Sequence, residues 1–328
     1  MIRRFLLRAG ALAAAVIASG MLISQYDTRA TDDNYLAAVL EKDRLIRGTP
    51  SPKVVLVGGS NLAFGVDSRM LQDSLGMRVV NMGLYAKLGL RYMLAQVKPY
   101  IAPGDVVAVV PEYDQFYGDY ANGDHTLNTA LLYAPPDRIG DFVKSYSVID
   151  VVVRPRVENA RRAFMQASAD VFGVKDRYFP ADTNPVYNRR SFNQLGDVVS
   201  HLGKKGRNPD SIFVTQLPPI TDFNAATLED LNNVARVAKM RRAHAYFLFP
   251  SYIDRSYSIN VAAIDSLRGR LAEGMRMPLI GSPRDFVYPS KFFFDTRYHL
   301  NEDGRRLRSL RMIGVLRAVG QRDGWLRN

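Results

Sequence analysis

Lys53-Val54-Val55-Leu56-Val57-Gly58-Gly59-Ser60-Asn61-Leu62-Ala63-Phe64-Gly65 reads as an apolar strand that runs through a Gly-Gly turn into a helix. A short unbroken apolar run bounded by turn residues fits a strand buried on both faces, as in parallel sheets. The paired glycines tolerate positive φ and close backbone approach. The helix that follows points free N–H groups at whatever Ser60 would attack. Ser60 is therefore a candidate nucleophile with part of an oxyanion hole already beside it.

Outward from this segment, short apolar runs alternate with amphipathic stretches, the pattern of strand-helix-strand units around a parallel sheet. Strands are expected at 53–58, 77–82, 105–110, 244–249 and 277–280, and helices at about 61–74, 87–101, 223–242, 257–274 and 301–319. Ser60 and Gly83 then both lie at carboxyl ends of strands, where open parallel sheets bind ligands. Residues 117–222 interrupt the pattern, with helices expected near 124–133, 136–153, 155–173 and 190–202 and no strand before Ile212-Phe213-Val214. This insertion reads as a lid or substrate wall. Within it, Tyr187 to Asp197 mixes aromatics, amides and arginines that suit a sugar hydroxyl or carboxylate, which nominates Asn193; a helix start with a solvated face explains the same residues.

A serine nucleophile needs an imidazole to take its proton and a carboxylate to orient that imidazole. The chain has 4 histidines. His125, His201 and His244 read as ordinary surface or element-end residues. His299 lies on the aromatic loop Phe292-Phe293-Phe294-Asp295-Thr296-Arg297-Tyr298-His299, with Asp295 close by and a helix directly after. Ser60, His299 and Asp295 thus fit nucleophile, base and orienting acid. Other uses of the glycine turn fail on the same residues. No Lys-Ser/Thr pair follows for a P-loop, the second strand ends in Asn81-Met82 rather than an acid, and Leu62 stands where an α/β-hydrolase elbow needs glycine. A serine that merely caps a helix remains the plain alternative.

A serine directly after the first strand, with an Asp/His pair just before the last helix, resembles the SGNH (GDSL-type) hydrolase and acyltransferase superfamily over residues 53–115 and 243–319. The resemblance implies a three-layer α/β/α, flavodoxin-like parallel sheet. It also implies that Gly83, in Val79-Val80-Asn81-Met82-Gly83, gives its N–H to the oxyanion hole beside that of Ser60. The segment after the third strand, Val106-Val107-Ala108-Val109-Val110-Pro111-Glu112-Tyr113-Asp114-Gln115-Phe116, lacks the asparagine that usually completes the hole. Tyr113 and the Asn61 side chain are both open as substitutes, and Glu112, Tyr113 and Asn193 are the expected substrate contacts. The Asp295–His299 spacing is one residue longer than in the family pattern.

Composition bounds the rest. With 328 residues, 47% hydrophobic and 23% charged, the chain can bury the core of one enzyme-sized domain. The absence of cysteine excludes disulfides and thiol chemistry, and scattered histidines point to no metal or cofactor. Arg3, Arg4 and Arg8 precede an uncharged stretch from Ala9 to Tyr26, read as an export signal or uncleaved anchor within residues 1–30 that leaves a catalytic domain, 31–328, outside the cytoplasm. A net charge of +12 favours anionic surroundings. Seven arginines between Arg305 and Arg327 share the last helix with Leu307, Leu310 and Ile313, expected to pack as an apolar face with the basic side solvated. Nothing resembles a nucleic-acid-binding motif.

The expected protein is a membrane-tethered, periplasmic or extracytoplasmic serine esterase or O-acyltransferase of the cell envelope. It would act on acyl, in particular acetyl, groups of a surface polysaccharide, and the resemblance implies a membrane-embedded acyl donor partner. The alternatives are a non-catalytic glycan-binding or assembly subunit on the same fold and an esterase of membrane lipids.

Overall fold

The computed structural model describes residues 34–173 and 184–326, with isolated positions 3, 4, 8, 10 and 11. The stretch expected to be an anchor, Ala9 to Tyr26, lies almost entirely outside the described residues. Among those described, no helix is long and apolar enough to cross a membrane.

The chain is a mixed α/β protein built on a parallel sheet of four strands in the order β2-β1-β3-β4: β1 Lys53–Gly58, β2 Arg78–Asn81, β3 Val106–Val110 and β4 His244–Phe247. Val54 pairs with Val79 on one side and Val106 on the other, and Val106 pairs with His244. Every residue of β1 and β3 is buried, as expected of β-branched strands covered on both faces. The run at 277–280 adds only a single parallel bridge, Leu279 to Phe247, on the outer side of β4. A second, two-stranded parallel pair joins β5 Tyr252–Ile253 to β6 Val287–Tyr288.

The helices are α1 Val39–Gly48, α2 Ser60–Gly65, α3 Ser68–Leu75, α4 Leu90–Val97, α5 His125–Tyr133, α6 Ile139–Phe142, α7 Arg154–Val171, α8 Ala226–Met240, α9 Asp254–Gly274 and α10 Glu302–Asp323. Helices α4 and α8 pack on each other and on β1 and β4, while α10 packs on α2 and α3. The single helix expected over 61–74 is two, because Val66 is extended and the Asp67 side chain caps α3 by accepting the Met70 N–H at 3.1 Å. Helix α1 was not foreseen. It is fixed by a buried lysine, Lys42, whose ammonium donates to the carbonyls of Asn81 (2.8 Å) and Gly196 (2.5 Å).

The insertion departs most from expectation. No helix forms at 190–202, where one turn of 3-10 helix gives way to an antiparallel bridge between Phe192 and Val198. Asn193 explains it: its side-chain oxygen accepts the N–H groups of Leu195 (3.0 Å) and Asp197 (2.9 Å), holding a turn with Gly196 at φ 94°. Ile212 to Val214 is not a strand. The insertion contributes to a second apolar cluster, including Tyr35, Phe64, Leu84, Leu127, Phe142 and Phe294, beside the sheet's own core.

Of the apolar face expected on the last helix, only Ile313 is buried. Leu307 and Leu310 are exposed, the latter by 51%, whereas Arg305 and Arg308 are buried with Met312, Ile313 and Leu316.

Candidate functional site

Ser60 is the first residue of α2, directly beyond the carboxyl end of β1, and is nearly buried. Neither glycine before it has positive φ. Their role is close approach: a Cβ on Gly58 would strike the Val110 carbonyl, and one on Gly59 would strike both carboxyl oxygens of Glu112. The turn is then locked from below. The Asn61 amide donates to the Val110 carbonyl (2.9 Å), its oxygen accepts from Arg308 (2.7 Å), and Arg308 donates again to the Asn61 main-chain carbonyl. Arg308 is fully buried, and that burial pulls its pKa down to about 10.

Glu112 follows β3 across Pro111 and is 1% exposed. Its Oε1 accepts the Asn61 N–H at 3.0 Å, while its Oε2 is buried without a hydrogen-bond partner. Burial pushes the carboxyl up from its ordinary value, against the opposing effect of the Asn61 N–H.

His299 reaches the same place from the other end of the chain. Its Nδ1 lies 2.8 Å from Asp295 Oδ1, so the longer spacing still closes the pair. Its main-chain N–H donates to the Thr296 hydroxyl (3.2 Å) and its carbonyl accepts from the Phe294 N–H (2.8 Å). The ring stacks on Phe64, centroids 4.2 Å apart and planes 5° from parallel. Because Phe64 is four residues after Ser60 on α2, one helical turn carries both the serine and the ring that seats the imidazole.

Tyr187 completes this half. Its hydroxyl donates to Asp295 Oδ2 (2.5 Å) and lies 3.0 Å from His299 Nδ1. Burial raises the Asp295 pKa, but the hydrogen bonds and charge of His299 and the Tyr187 hydroxyl outweigh it and hold the carboxyl below its ordinary value. Burial and the Asp295 charge push the Tyr187 hydroxyl upward, so it remains a donor. Tyr298 and Arg297 tie the loop to the segment after β3, through Asp114 at 2.8 and 2.7 Å.

Ser60, Glu112, Asp295 and His299 line one cavity of about 300 Å³. Tyr85, Tyr120 and Phe213 line the same cavity, with Lys87, Arg207 and the ion-paired Arg297 and Asp114. Phe213 is 77% exposed there.

The structure thus gathers Ser60, His299, Asp295 and Glu112, and leaves the other expected site residues elsewhere. The Asn61 side chain is spent on Val110 and Arg308, and so is a structural amide rather than a free donor. The Gly83 N–H donates to Asn81 Oδ1 (2.9 Å) instead of facing the cavity. Tyr113 is buried edge-on against Tyr252. Asn193 holds its turn and borders a separate cavity with Lys42 and Phe192. Tyr187, Phe213 and Arg207 were not singled out. Tyr187 begins the polar-aromatic run that ends at Asp197, but no local signal marks which member of it reaches Asp295. The chain matches no protein-family model and no curated protein.

Proposed function

We propose that the protein is a serine esterase or O-acyltransferase of SGNH type, exported and tethered by its N-terminal segment, that acts on acyl groups of a cell-surface polysaccharide. The fold supports the reading, because the strand order β2-β1-β3-β4 with Leu279 bridging beyond β4 follows the flavodoxin-like sequence 2-1-3-4-5. The observation that carries it is that Ser60 and the hydrogen-bonded Asp295–His299 pair line the same cavity.

In this reading His299 takes the Ser60 proton as Oγ attacks the acyl carbonyl, and Asp295 stabilises the imidazolium. His299 then returns the proton to the leaving alcohol. Water as the next acceptor gives hydrolysis, and a sugar hydroxyl gives transfer. The exposed Phe213 and the Lys87 and Arg207 cations that line the cavity suit sugar rings bearing negative charge. A membrane-embedded donor protein would supply acyl groups to the transfer reaction.

Fluorophosphonate labelling tests the proposal. Wild-type protein is expected to label and Ser60→Ala to remain unlabelled; equal labelling of the two ends the hydrolase reading. Faster turnover of long-chain than of acetyl esters would redirect it to lipids. The commitment of the Gly83 N–H and the Asn61 amide to internal partners favours a second reading, a glycan-binding subunit without turnover. Glycan binding undiminished in Ser60→Ala and His299→Ala, with no ester cleaved by wild type, would establish that one.

A further inference from the structure

Glu112 is a carboxyl group walled into the site with only half of its hydrogen-bonding capacity used. Oε1 receives the Asn61 N–H, and Oε2 has no hydrogen-bond partner. Both oxygens lie against Gly59, the residue before Ser60, and the side chain forms part of the cavity wall beside the serine. A carboxylate is acceptor-only, so as an anion Glu112 would bury one charged oxygen with no donor, a costly arrangement. As the acid it keeps an acceptor for Asn61 and gains one O–H with no protein acceptor.

What that O–H can meet is whatever Ser60 holds. A carbonyl oxygen, and still more the oxyanion it becomes, accepts hydrogen bonds and donates none. The donors expected at this position, the Gly83 N–H and the Asn61 amide, are bonded elsewhere. Resting on the hydrolase reading above, we propose that Glu112 serves as a carboxylic-acid oxyanion donor, completing with the Ser60 N–H the hole that holds the tetrahedral intermediate. Its proton stays on Oε2 throughout. The Ser60 Oγ–carbon bond forms as the carbonyl π pair moves to oxygen and His299 takes the serine proton. The pair then returns as the bond to the leaving alcohol breaks, and His299 protonates that alcohol.

The upward displacement of the carboxyl by burial agrees with this role. The titratable and charged groups acting on Glu112 are His299, Arg308, Tyr35 and Tyr120. Arg308, already bonded to Asn61 and Ser251, makes no hydrogen bond to it.

The test compares wild type, E112Q and E112M by the rate of fluorophosphonate labelling and of acetyl-ester turnover across pH, with the infrared signal of Glu112 isolated as the wild-type minus E112Q difference. Gln keeps an acceptor and a donor in the same places, so E112Q is expected to stay within about tenfold of wild type, whereas E112M slows about 10² to 10³-fold. Wild type loses rate at high pH as Glu112 ionises, and E112Q lacks that decline. The difference spectrum at neutral pH shows a protonated carboxyl. E112M as fast as wild type, E112Q as slow as E112M, an unchanged alkaline decline in E112Q, or a carboxylate signal would each overturn the inference while labelling of Ser60 left the hydrolase reading standing. Wild-type protein that never labels would overturn both.

Discussion

Ser60 is held by amides and a buried guanidinium, with Asn61, Arg308 and the Val110 carbonyl gripping its turn from inside the core. His299 is held by rings and hydroxyls, with Phe64 against its face and Tyr187 and Thr296 around its loop. The first half is fastened by directional bonds that tolerate little change, while the second rests on stacking and on hydrogen bonds to a segment from the insertion. Removing a partner should therefore damage the serine half through stability and the histidine half through chemistry.

Asp295→Asn gives the largest expected effect. With His299 as base it should lower kcat about 10⁴-fold while leaving the thermal midpoint nearly unchanged; an active D295N protein would break the histidine half of the comparison. On the serine side, Arg308→Met should cost about 4 kcal/mol of stability, read as a lower urea midpoint, because Asn61 and Ser251 lose a buried donor. A wild-type midpoint in R308M would show that the guanidinium does not hold the turn.

The ring cluster should be sensitive to acid in a way the serine turn is not. His201 packs against Phe64 and Phe294. Burial, then the charges of Arg305 and His299, lower its pKa to about 4, with Asp295 opposing. A base with a depressed folded pKa stays neutral in the fold but takes up a proton when unfolded. Stability is therefore full above about pH 6.5 and falls as pH drops towards 4, by about 3 kcal/mol. Urea midpoints from pH 7 to 4 should show this decline in wild type and a flatter one in His201→Leu. The smallest expected effect is that of Tyr187→Phe, which removes a charge-assisted donor to Asp295 and should lower kcat about tenfold, roughly 1.4 kcal/mol, with KM little changed.

The legible parts of the sequence were those whose signals are local. Four apolar runs became the four sheet strands within about two residues, since a buried parallel strand needs an unbroken β-branched run and little else fits one. Ser60 was legible from the turn, and Asp295 with His299 from their shared loop. Of the two reasons the sequence offers for the turn's glycines, left-handed φ is not used, whereas close approach is, by Val110 at the end of β3 and Glu112 just beyond it. Asn193 was attributed to substrate because its own turn was not recognised. Tyr187 reaches Asp295 over 108 positions in sequence, and no pattern within a window reports such a pairing.

The last helix shows where local reading stops. Periodicity places Leu307, Leu310 and Ile313 on its inner face, yet only Ile313 is buried, and the two leucines face solvent while Arg305 and Arg308 turn inward. Arg305 meets the buried Asp197 (3.0 Å) and the Val66 carbonyl (2.7 Å), and Arg308 meets Asn61. By itself the sequence determined the strands, the glycine turn that carries Ser60 and the Asp/His loop, because apolar runs, glycine pairs and short spacings act through neighbouring residues. Only the tertiary structure decided which arginines are buried, where Glu112 points and which tyrosine joins the acid. A buried polar group is stable only against a partner, and here those partners come from distant parts of the chain.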